Sequence, residues 1–238
     1  MRLLLEILKN VFSWIYILFT VPTFGILAII TKRKALATLW CRGLMSILGI
    51  KVRIEEGALP LKGKNYVFIS NHQSQLDIPV LEVLLKDYDI RFLAKKSLFK
   101  IPFFGWGIGA LGYIPVERED PKEGLKSLYA CVDRLKEGHS LVIFPEGTRS
   151  RDGSLLPFKK AGFLIPIKAG VEVCPVVIWG TKNILPKGSL WFRLRKREVK
   201  VIVGPLFPTD SLSLRDKHIL ADKVRAFMEE SLNKLNIN

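Results

Sequence analysis

Short apolar runs alternate with amphipathic segments along most of the chain, from about residue 66 to the end. The runs have the length of buried strands, and the segments between them carry apolar residues at helical spacing. The six predicted strands are Tyr66–Ser70, Ile90–Ala94, Tyr113–Val116, Leu141–Phe144, Val173–Ile178 and Glu198–Val203. This alternation predicts an α/β fold with a mostly parallel central sheet flanked by helices.

Capping residues as well as periodicity mark the predicted helices. The clearest helix begins after Asp120, with Pro121 in its first turn and Glu123 as a capping-box acid, and it ends at Gly138. Its predicted buried stripe is Leu125, Leu128, Val132 and Leu135. The other helices expected in this part of the chain are Leu76–Leu85, Phe163–Ala169 and Leu214–Leu235.

The first 54 residues follow another pattern. Residues 11–30 are an uncharged stretch of 20 residues, which as one straight helix would be about 30 Å long and can just cross a bilayer. However, Pro22 and Gly25 lie in its middle and favour a bend, and a second apolar segment, Ala35–Ile50, follows. We therefore favour a two-helix hairpin that lies in one leaflet over a single membrane span. This divides the chain into a membrane-binding helical hairpin (1–54) and an α/β domain (55–238).

Two other interpretations of the N-terminal segment carry less weight. A pair of core helices in a water-soluble protein would show the same apolarity. A cleaved signal peptide is disfavoured because the apolar run is long and no small-residue cleavage site follows it.

Charge and hydropathy together indicate the kind of partner. The formal net charge is +15 and the pI is about 9.8, which calls for an anionic partner. Nucleic-acid-binding proteins are usually polar, whereas 49% of this chain is hydrophobic and its mean hydropathy is +0.23. No acidic residue occurs between Glu6 and Glu55. We therefore predict an anionic phospholipid membrane as the partner, at the cytoplasmic face of the cell membrane, and no nucleic acid.

The cysteines and histidines suggest no metal site. Cys41, Cys131 and Cys174 are scattered and odd in number, so we expect buried thiols in a reducing compartment. The three histidines have no spacing typical of metal ligands.

The stretch from Asn71 to Asp77 carries the strongest chemical signal. His72 and Asp77 are five residues apart, directly after a predicted strand. On one helix this spacing would point the two side chains roughly 140° apart, so a contact requires His72 in a loop and Asp77 in the first turns of a helix. In that geometry the carboxylate fixes the tautomer of the imidazole, whose other nitrogen can accept a proton. The alternative is a purely structural pair at a helix start.

Basic residues follow several of the other predicted strands. Arg149 lies near the end of the segment Phe144–Ser150, Arg118 ends the segment Gly112–Arg118, and the Lys95-Lys96 pair follows the second predicted strand. Since the carboxyl ends of parallel strands share one edge of a sheet, these side chains can meet at one phosphate. Glu146 can bond a substrate hydroxyl or hold Arg149. A solvated surface explains each basic residue singly, but it explains less well why all of them lie at strand ends.

These segments, with Val173-Cys174-Pro175-Val176, resemble the four ordered motifs of the glycerolipid acyltransferase family, over about residues 66–178. The similarity is greatest to its bacterial lysophosphatidic acid acyltransferases. Many members have an Asp before the arginine of the second motif, where this chain has Glu117. The resemblance implies acyl transfer from acyl-CoA or acyl-carrier protein to the sn-2 hydroxyl of lysophosphatidic acid, without a cofactor. It also implies catalytic roles for His72 and Asp77, substrate binding by Lys95, Arg118, Glu146, Gly147, Thr148 and Arg149, and a weaker donor-site assignment for Asn71 and Pro175.

The residues identified above can carry out this reaction. A thioester is already activated, so no enzyme nucleophile is needed, and His72 can remove the hydroxyl proton as the oxygen attacks the carbonyl. We expect backbone N–H groups at the start of the helix after His72 to stabilise the oxyanion.

Three alternatives remain beside this interpretation. Another lysolipid can be the acceptor, or the protein can be a membrane-associated lipid hydrolase, although the chain contains no Gly-x-Ser-x-Gly elbow. A non-enzymatic module that binds membranes or nucleic acid explains the charge but not the His72–Asp77 pair or the arginines at the strand ends. The stretch Gly107–Gly112 matches a dinucleotide-binding pattern but precedes a predicted strand, so we interpret it as a flexible loop that allows close packing.

Overall fold

Seven strands form one sheet in the computed structural model, which describes residues 2–117 and 120–237. In chain order they are β1 (Lys51–Glu56), β2 (Val67–Ser70), β3 (Ile90–Lys95), β4 (Ile114–Val116), β5 (Ser140–Ile143), β6 (Val173–Trp179) and β7 (Glu198–Val203). Across the sheet their order is β1-β7-β6-β2-β5-β3-β4. The strands from β6 to β4 are parallel to one another, whereas β7 is antiparallel to β6 and parallel to β1.

Helices cover both faces of this sheet. They are α1 (Arg2–Thr31), α2 (Ala35–Leu48), α3 (Asp77–Leu84), α4 (Phe104–Ala110), α5 (Pro121–Lys136), α6 (Leu164–Ala169), α7 (Thr181–Ile184) and α8 (Lys217–Ile237). As predicted, the Asp120 side chain caps α5 by accepting the backbone N–H of Lys122 at 2.8 Å. The Glu123 carboxylate instead pairs with Lys96 and Lys126.

The central strands separate two hydrophobic clusters. Phe68, Val142 and Cys174 point to the cluster that includes α2 and α3 residues. Val67, Leu141 and Val173 point to the opposite cluster, together with residues of α5, α6 and α8. Every residue of β2 and β5 is buried because both faces of the sheet are covered. This explains why these strands appear in the sequence as continuous apolar runs.

The structure contains all six predicted strands and adds β1. Five of the six residues of β1 are exposed, so the strand has no alternating apolar pattern to reveal it. Its partner β7 lies far along the chain, and Lys51 pairs with Glu198. The predicted domain boundary at residue 54 therefore falls inside a strand, and the α/β domain begins at Lys51.

The N-terminal segment forms two helices, as expected, but the bend is not where the sequence predicted it. Helix α1 continues through Pro22 and Gly25, and the chain turns only at residues 32–34. The helical stretch over residues 3–31 is long and apolar enough to cross a membrane. Tyr16 stacks on Trp40 of α2 and donates to its carbonyl at 2.9 Å, which holds the two helices together.

A buried polar cluster joins this hairpin to the α/β domain. The Glu82 carboxylate of α3 is 1% exposed and accepts hydrogen bonds from Lys34, from Thr38 at 3.0 Å and from Tyr113 at 2.8 Å. Breaking such a cluster would leave a buried carboxylate unpaired, so the orientation of α2 on the domain is strongly determined.

Two of the three glycines of Gly107–Gly112 do not lie in the loop that the sequence suggested, and only Gly112 lies in a turn. Gly107 and Gly109 lie in α4, which packs on α1. A β-carbon on Gly107 would lie 2.9 Å from the Cα atom of Gly25, so the two helices cross at glycines on both sides. Close packing was predicted correctly, and the flexible loop was wrong.

The parallel arrangement brings five strand ends to one edge of the sheet. Strands β2, β3, β4, β5 and β6 all have their carboxyl ends there. Open α/β sheets bind ligands at this edge, because the loops that follow the strands converge there.

Candidate active site

His72 and Asp77 form a hydrogen-bonded pair at this edge. His72 lies in the loop after β2, and Asp77 is the first residue of α3. The Nδ1 atom of His72 is 2.8 Å from Oδ2 of Asp77. A carboxylate accepts, so Nδ1 carries the hydrogen and Nε2 keeps a lone pair for a substrate proton. This is the strand, loop and helix geometry that the spacing predicted.

Asp77 is held by more than the histidine. Its carboxylate is fully buried and accepts the backbone N–H groups of Gln73 at 2.7 Å and Ser74 at 2.8 Å. The hydroxyl of Thr181, at the start of α7, donates to its other oxygen at 2.5 Å. These donors satisfy both carboxylate oxygens, so the orientation of His72 is fixed before any substrate arrives.

Two contacts from the segment after β5 complete the support of His72. The ring of Phe144 stacks on the imidazole, with the ring centroids 4.0 Å apart. The carboxylate of Glu146 accepts the backbone N–H of His72 at 2.7 Å and that of Leu156 at 2.9 Å. In return, the carbonyl of His72 accepts the N–H of Ser150 at 2.8 Å. The two motifs thus hold each other through backbone hydrogen bonds.

Glu146 has an unusual protonation equilibrium. Burial raises the pKa of its carboxyl to about 7, against the opposite effect of the two backbone hydrogen bonds. The side chain is 4% exposed. Its carboxylate points to backbone groups, and Glu146 does not line the cavity described next, so its contacts are those of a residue that positions the His72 loop.

His72 lies on the wall of a cavity of about 890 Å³. Polar and charged residues near the strand ends line it, namely His72, Gln75, Lys95, Glu117, Thr148, Arg149 and Lys159, and Asp120 lines it just before α5. Its apolar walls come from α1, α2 and α4 on one side and from α5 and α6 on the other. The cavity therefore combines a proton acceptor, cationic groups and an extended apolar space.

Most of the predicted substrate residues meet at this cavity. Lys95, Gly147, Thr148 and Arg149 line it. Gly147 has φ 69°, and a β-carbon there would lie 3.0 Å from the Lys159 side chain, so a glycine suits this position. Arg118, which we also predicted, lies outside the described residues.

Asn71 and Pro175, the weaker donor-site candidates, do not line the cavity. The side chain of Asn71 exchanges two hydrogen bonds with the backbone of Ile178, both 2.8 Å long, and ties the end of β2 to β6. Pro175 is buried within β6, where it pairs with Ile69. The contacts of both residues support the sheet, and their donor-site assignment stays a prediction.

Three contributions were missed in the sequence. Lys159 lines the cavity, Thr181 holds Asp77, and Lys187 donates to the carbonyl of Arg149 at 2.7 Å and to the hydroxyl of Thr148 at 3.2 Å. Only Lys159 had a local signal, as part of a Lys-Lys pair. The other two act across sequence separations of 104 and 38 residues.

The expected oxyanion donors were also wrong in part. The backbone N–H groups of His72, Gln73 and Ser74 donate to Glu146 or Asp77. The amide of Leu76 donates to the hydroxyl of Ser74 at 3.1 Å. Groups engaged in this way position the loop and are not available to an oxyanion.

Comparison with known proteins agrees with this geometry. The family model described as Acyltransferase matches residues 49–179, which is more than half of the chain. The chain belongs to the acyltransferase family. The matched region of this acyltransferase-family chain begins just before β1 and ends with β6, so it contains both His72 and the segment after β5.

Individual relatives are similar to the chain over different lengths. A chloroplastic 1-acyl-sn-glycerol-3-phosphate acyltransferase of Brassica napus is 39% identical over 176 residues, which is 74% of this chain and 48% of that protein. The first curated relatives in this comparison are matched over only about half of their own length. A 1-acyl-sn-glycerol-3-phosphate acyltransferase of Salmonella typhimurium is 32% identical over 196 residues, 81% of this chain and 77% of that protein.

The fold has a counterpart among solved structures. The crystal structure of the 1-acyl-sn-glycerophosphate (LPA) acyltransferase from Thermotoga maritima superposes with a TM-score of 0.83 at 26% identity. The superposition covers 100% of this chain and 99% of that one, so it includes the N-terminal helices.

Proposed function

We propose that the protein transfers a fatty acyl group from a thioester, acyl-CoA or acyl-carrier protein, to the sn-2 hydroxyl of lysophosphatidic acid, which yields phosphatidic acid. The observation that carries this proposal is the oriented His72–Asp77 pair on the wall of an apolar cavity that also presents cationic groups. The names of the relatives support the same substrate class.

His72 acts as the general base of this reaction. Nε2 takes the proton of the acceptor hydroxyl as its oxygen attacks the thioester carbonyl, while Asp77 stabilises the imidazolium that forms. The tetrahedral oxyanion then collapses and expels the thiolate, which can recover the proton from His72. Oxygen gains the acyl group and sulfur loses it, so the step needs no cofactor and no covalent acyl-enzyme.

The apolar walls of the cavity suit a fatty acyl chain. Such a chain has no polar groups to satisfy along its length, and burying each methylene contributes about 0.8 kcal/mol. The cationic groups lie at the strand ends near His72, where the phosphate of the acceptor has to be when its hydroxyl reaches Nε2. We assign Arg149, supported by Lys95 and Lys159, to that phosphate.

Arg149→Ala tests this assignment. We expect it to lower kcat/KM about 10- to 100-fold with lysophosphatidic acid, because a charge-assisted hydrogen bond of about 1.5–3 kcal/mol is lost. The loss should be much smaller with monoacylglycerol, the dephosphorylated acceptor. Arg151→Ala is a matched control, since Arg151 is exposed and does not line the cavity. Equal losses of Arg149→Ala with both acceptors would exclude a phosphate role.

An acyl-transfer assay tests the function as a whole. The purified full chain is given a panel of lysolipids with acyl-CoA or acyl-carrier protein as donor, and phosphatidic acid is expected as the main product. If the protein acylates another lysolipid faster, that lysolipid replaces lysophosphatidic acid as the proposed acceptor. An acyl-enzyme trapped with donor alone would contradict direct attack and favour a hydrolase.

The position of α1 supports binding to one leaflet. Near its start, Glu6 and Asn10 contact the segment after α7, and near its end Gly25 packs on α4. Glu6 and Gly25 are separated by about 28 Å of helix, which is close to the thickness of a bilayer core. Since both ends touch the same α/β domain, we propose that α1 lies along the membrane plane, on the cytoplasmic face.

A further inference from the structure

The chain after α7 forms an exposed loop, residues 186–197, which we call the basic loop. It contains the basic residues Lys187, Arg193, Arg195, Lys196 and Arg197, and no acidic residue occurs between Glu172 and Glu198. At its tip, Leu190 is 72% exposed and Trp191 is 44% exposed. The proposed function uses none of these exposed apolar side chains.

The basic loop is fixed against α1. The Asn10 side chain is buried and exchanges two hydrogen bonds with the backbone of Phe192, donating at 2.9 Å and accepting at 2.7 Å. The indole N–H of Trp14 donates to the carbonyl of Leu190 at 2.9 Å. Contacts of this kind hold the tip of the loop in one position along the helix.

The tip continues the apolar surface of α1. Trp191 shares a shallow groove with Val11, Trp14, Ile15 and Leu18. Leu18 is 70% exposed and Val11 is 49% exposed, so helix and loop together present one apolar face. Isolated exposed apolar residues are ordinary in proteins, but a continuous patch of this kind marks an interaction surface.

We propose that the basic loop is a third membrane-binding element, which inserts Leu190 and Trp191 beside α1 while its arginines and lysines bind lipid phosphates. The inference rests on the proposed membrane association of the hairpin and extends it to the α/β domain. A tryptophan and a leucine flanked by basic residues match an anionic bilayer surface, where tryptophan prefers the headgroup level and each basic residue contributes about 1 kcal/mol.

The basic loop also reaches the candidate active site. It begins directly after Leu185, whose carbonyl accepts the Ser74 hydroxyl at 2.7 Å. Lys187 donates to the carbonyl of Arg149. A loop seated in the headgroup region would therefore hold the cavity at the level where lysolipid phosphates lie.

An environment-sensitive fluorophore at position 190 tests the proposal. The native cysteines are buried, so a single introduced thiol can be labelled selectively. Leu190→Cys, Leu18→Cys and Leu61→Cys are each labelled with a nitrobenzoxadiazole probe and mixed with vesicles of phosphatidylcholine and phosphatidylglycerol. Leu61 is 75% exposed, which matches Leu190, but it lies in the loop between β1 and β2 and not in the basic loop or α1.

We expect several-fold brighter, blue-shifted emission at positions 190 and 18, with quenching by nitroxide-labelled lipid, and no change at position 61. A lipid signal at 18 with an aqueous signal at 190 would overturn the third element and leave the hairpin proposal intact. Aqueous signals at both positions would overturn membrane association itself. A signal at 190 that depends on protein concentration and not on vesicles would indicate a second copy of the chain, and would also overturn the proposal.

The charge of the basic loop is tested separately. Exchanging Arg193, Arg195 and Lys196 for Gln should weaken binding to anionic vesicles by about tenfold or more and leave binding to pure phosphatidylcholine little changed. The matched control exchanges Lys64, Lys86 and Lys136, which are also exposed, for Gln. Equal weakening in both triple variants would show that only net charge matters and would contradict a local role of the loop.

Discussion

At the scale of single residues, Asp77 explains why His72 is ready to accept a proton. Its two oxygens receive hydrogen bonds from His72, from two backbone amides and from Thr181. Asp77→Asn can keep this arrangement, because the Thr181 hydroxyl can accept from the new amide while the remaining oxygen still accepts from Nδ1. The substitution would therefore remove the charge of Asp77 with little change in geometry.

The raised pKa of Glu146 makes the free energy of unfolding depend on pH. Its pKa is about 7 in the folded chain, compared with an ordinary value of 4.5, so the folded state binds this proton more tightly than the unfolded state. The contribution of Glu146 to the free energy of unfolding is therefore complete below pH 4.5 and is lost as the pH rises to about 7. The loss is at most about 3 kcal/mol.

Glu146→Gln removes this titration. When the pH rises from 4.5 to 7.5, the natural chain should lose the stabilisation that Glu146 gives and the variant should not. Denaturant unfolding at both pH values measures the two free energies of unfolding. All other ionisable groups titrate in both proteins. The test is therefore how the difference between their free energies of unfolding changes with pH. A difference that stays constant with pH would contradict the assigned protonation equilibrium.

The distance along the chain decides which residue contacts the sequence could predict. His72 and Asp77 are five residues apart, and the geometry of strand, loop and helix follows from that spacing alone. The Glu146 bond to the backbone of His72 spans 74 residues, and nothing local shows that this carboxylate faces backbone amides. The sequence therefore suggested a substrate contact for Glu146, where the structure has a support of the loop.

At the scale of elements, the crossing of α1 and α4 depends on glycine. A β-carbon at Gly107 would lie 2.9 Å from Gly25, whereas one at Gly109 would meet only the Phe99 side chain at an ordinary 3.7 Å. Alanine favours a helix by about 0.5–1 kcal/mol over glycine at either position. Only at Gly107 does the clash oppose this gain.

We therefore expect opposite effects of two similar substitutions. Gly107→Ala should lower the Tm and impair acyl transfer, because Gly107 and Gly25 both line the cavity. Gly109→Ala should leave activity unchanged and raise the Tm slightly. Thermal unfolding and turnover of both variants give the comparison, and an equal rise in Tm for both would contradict close packing at the crossing.

Elements were predictable where burial leaves a pattern. Strands β2, β5 and β6 are buried on both faces and were visible as apolar runs. The exposed strand β1 was not visible in the sequence. Its pairing with β7 makes it a strand, and its own residues carry no strand pattern. Helix α1 was expected to bend at Pro22, but it continues through that residue in contact with α2 and α4.

At the scale of the whole molecule, the arrangement of α1 on the domain predicts a membrane topology. Leu5→Cys and Arg33→Cys lie at opposite ends of α1, and Leu61→Cys marks the side of the α/β domain. In sealed vesicles, an impermeant maleimide should label neither end of α1 from the side opposite to Leu61→Cys. Labelling of either end solely from that opposite side would establish a span and contradict the in-plane arrangement.

Proton removal by His72, at the edge of the sheet where the cavity and its cationic side chains lie, is the central step of the proposed reaction. The most direct test is the turnover of purified His72→Ala with lysophosphatidic acid and an acyl thioester, with Asp77→Asn measured in parallel. We predict a loss of about 10²- to 10⁴-fold for His72→Ala and a smaller loss for Asp77→Asn. Near-normal turnover of a folded His72→Ala variant would contradict the mechanism.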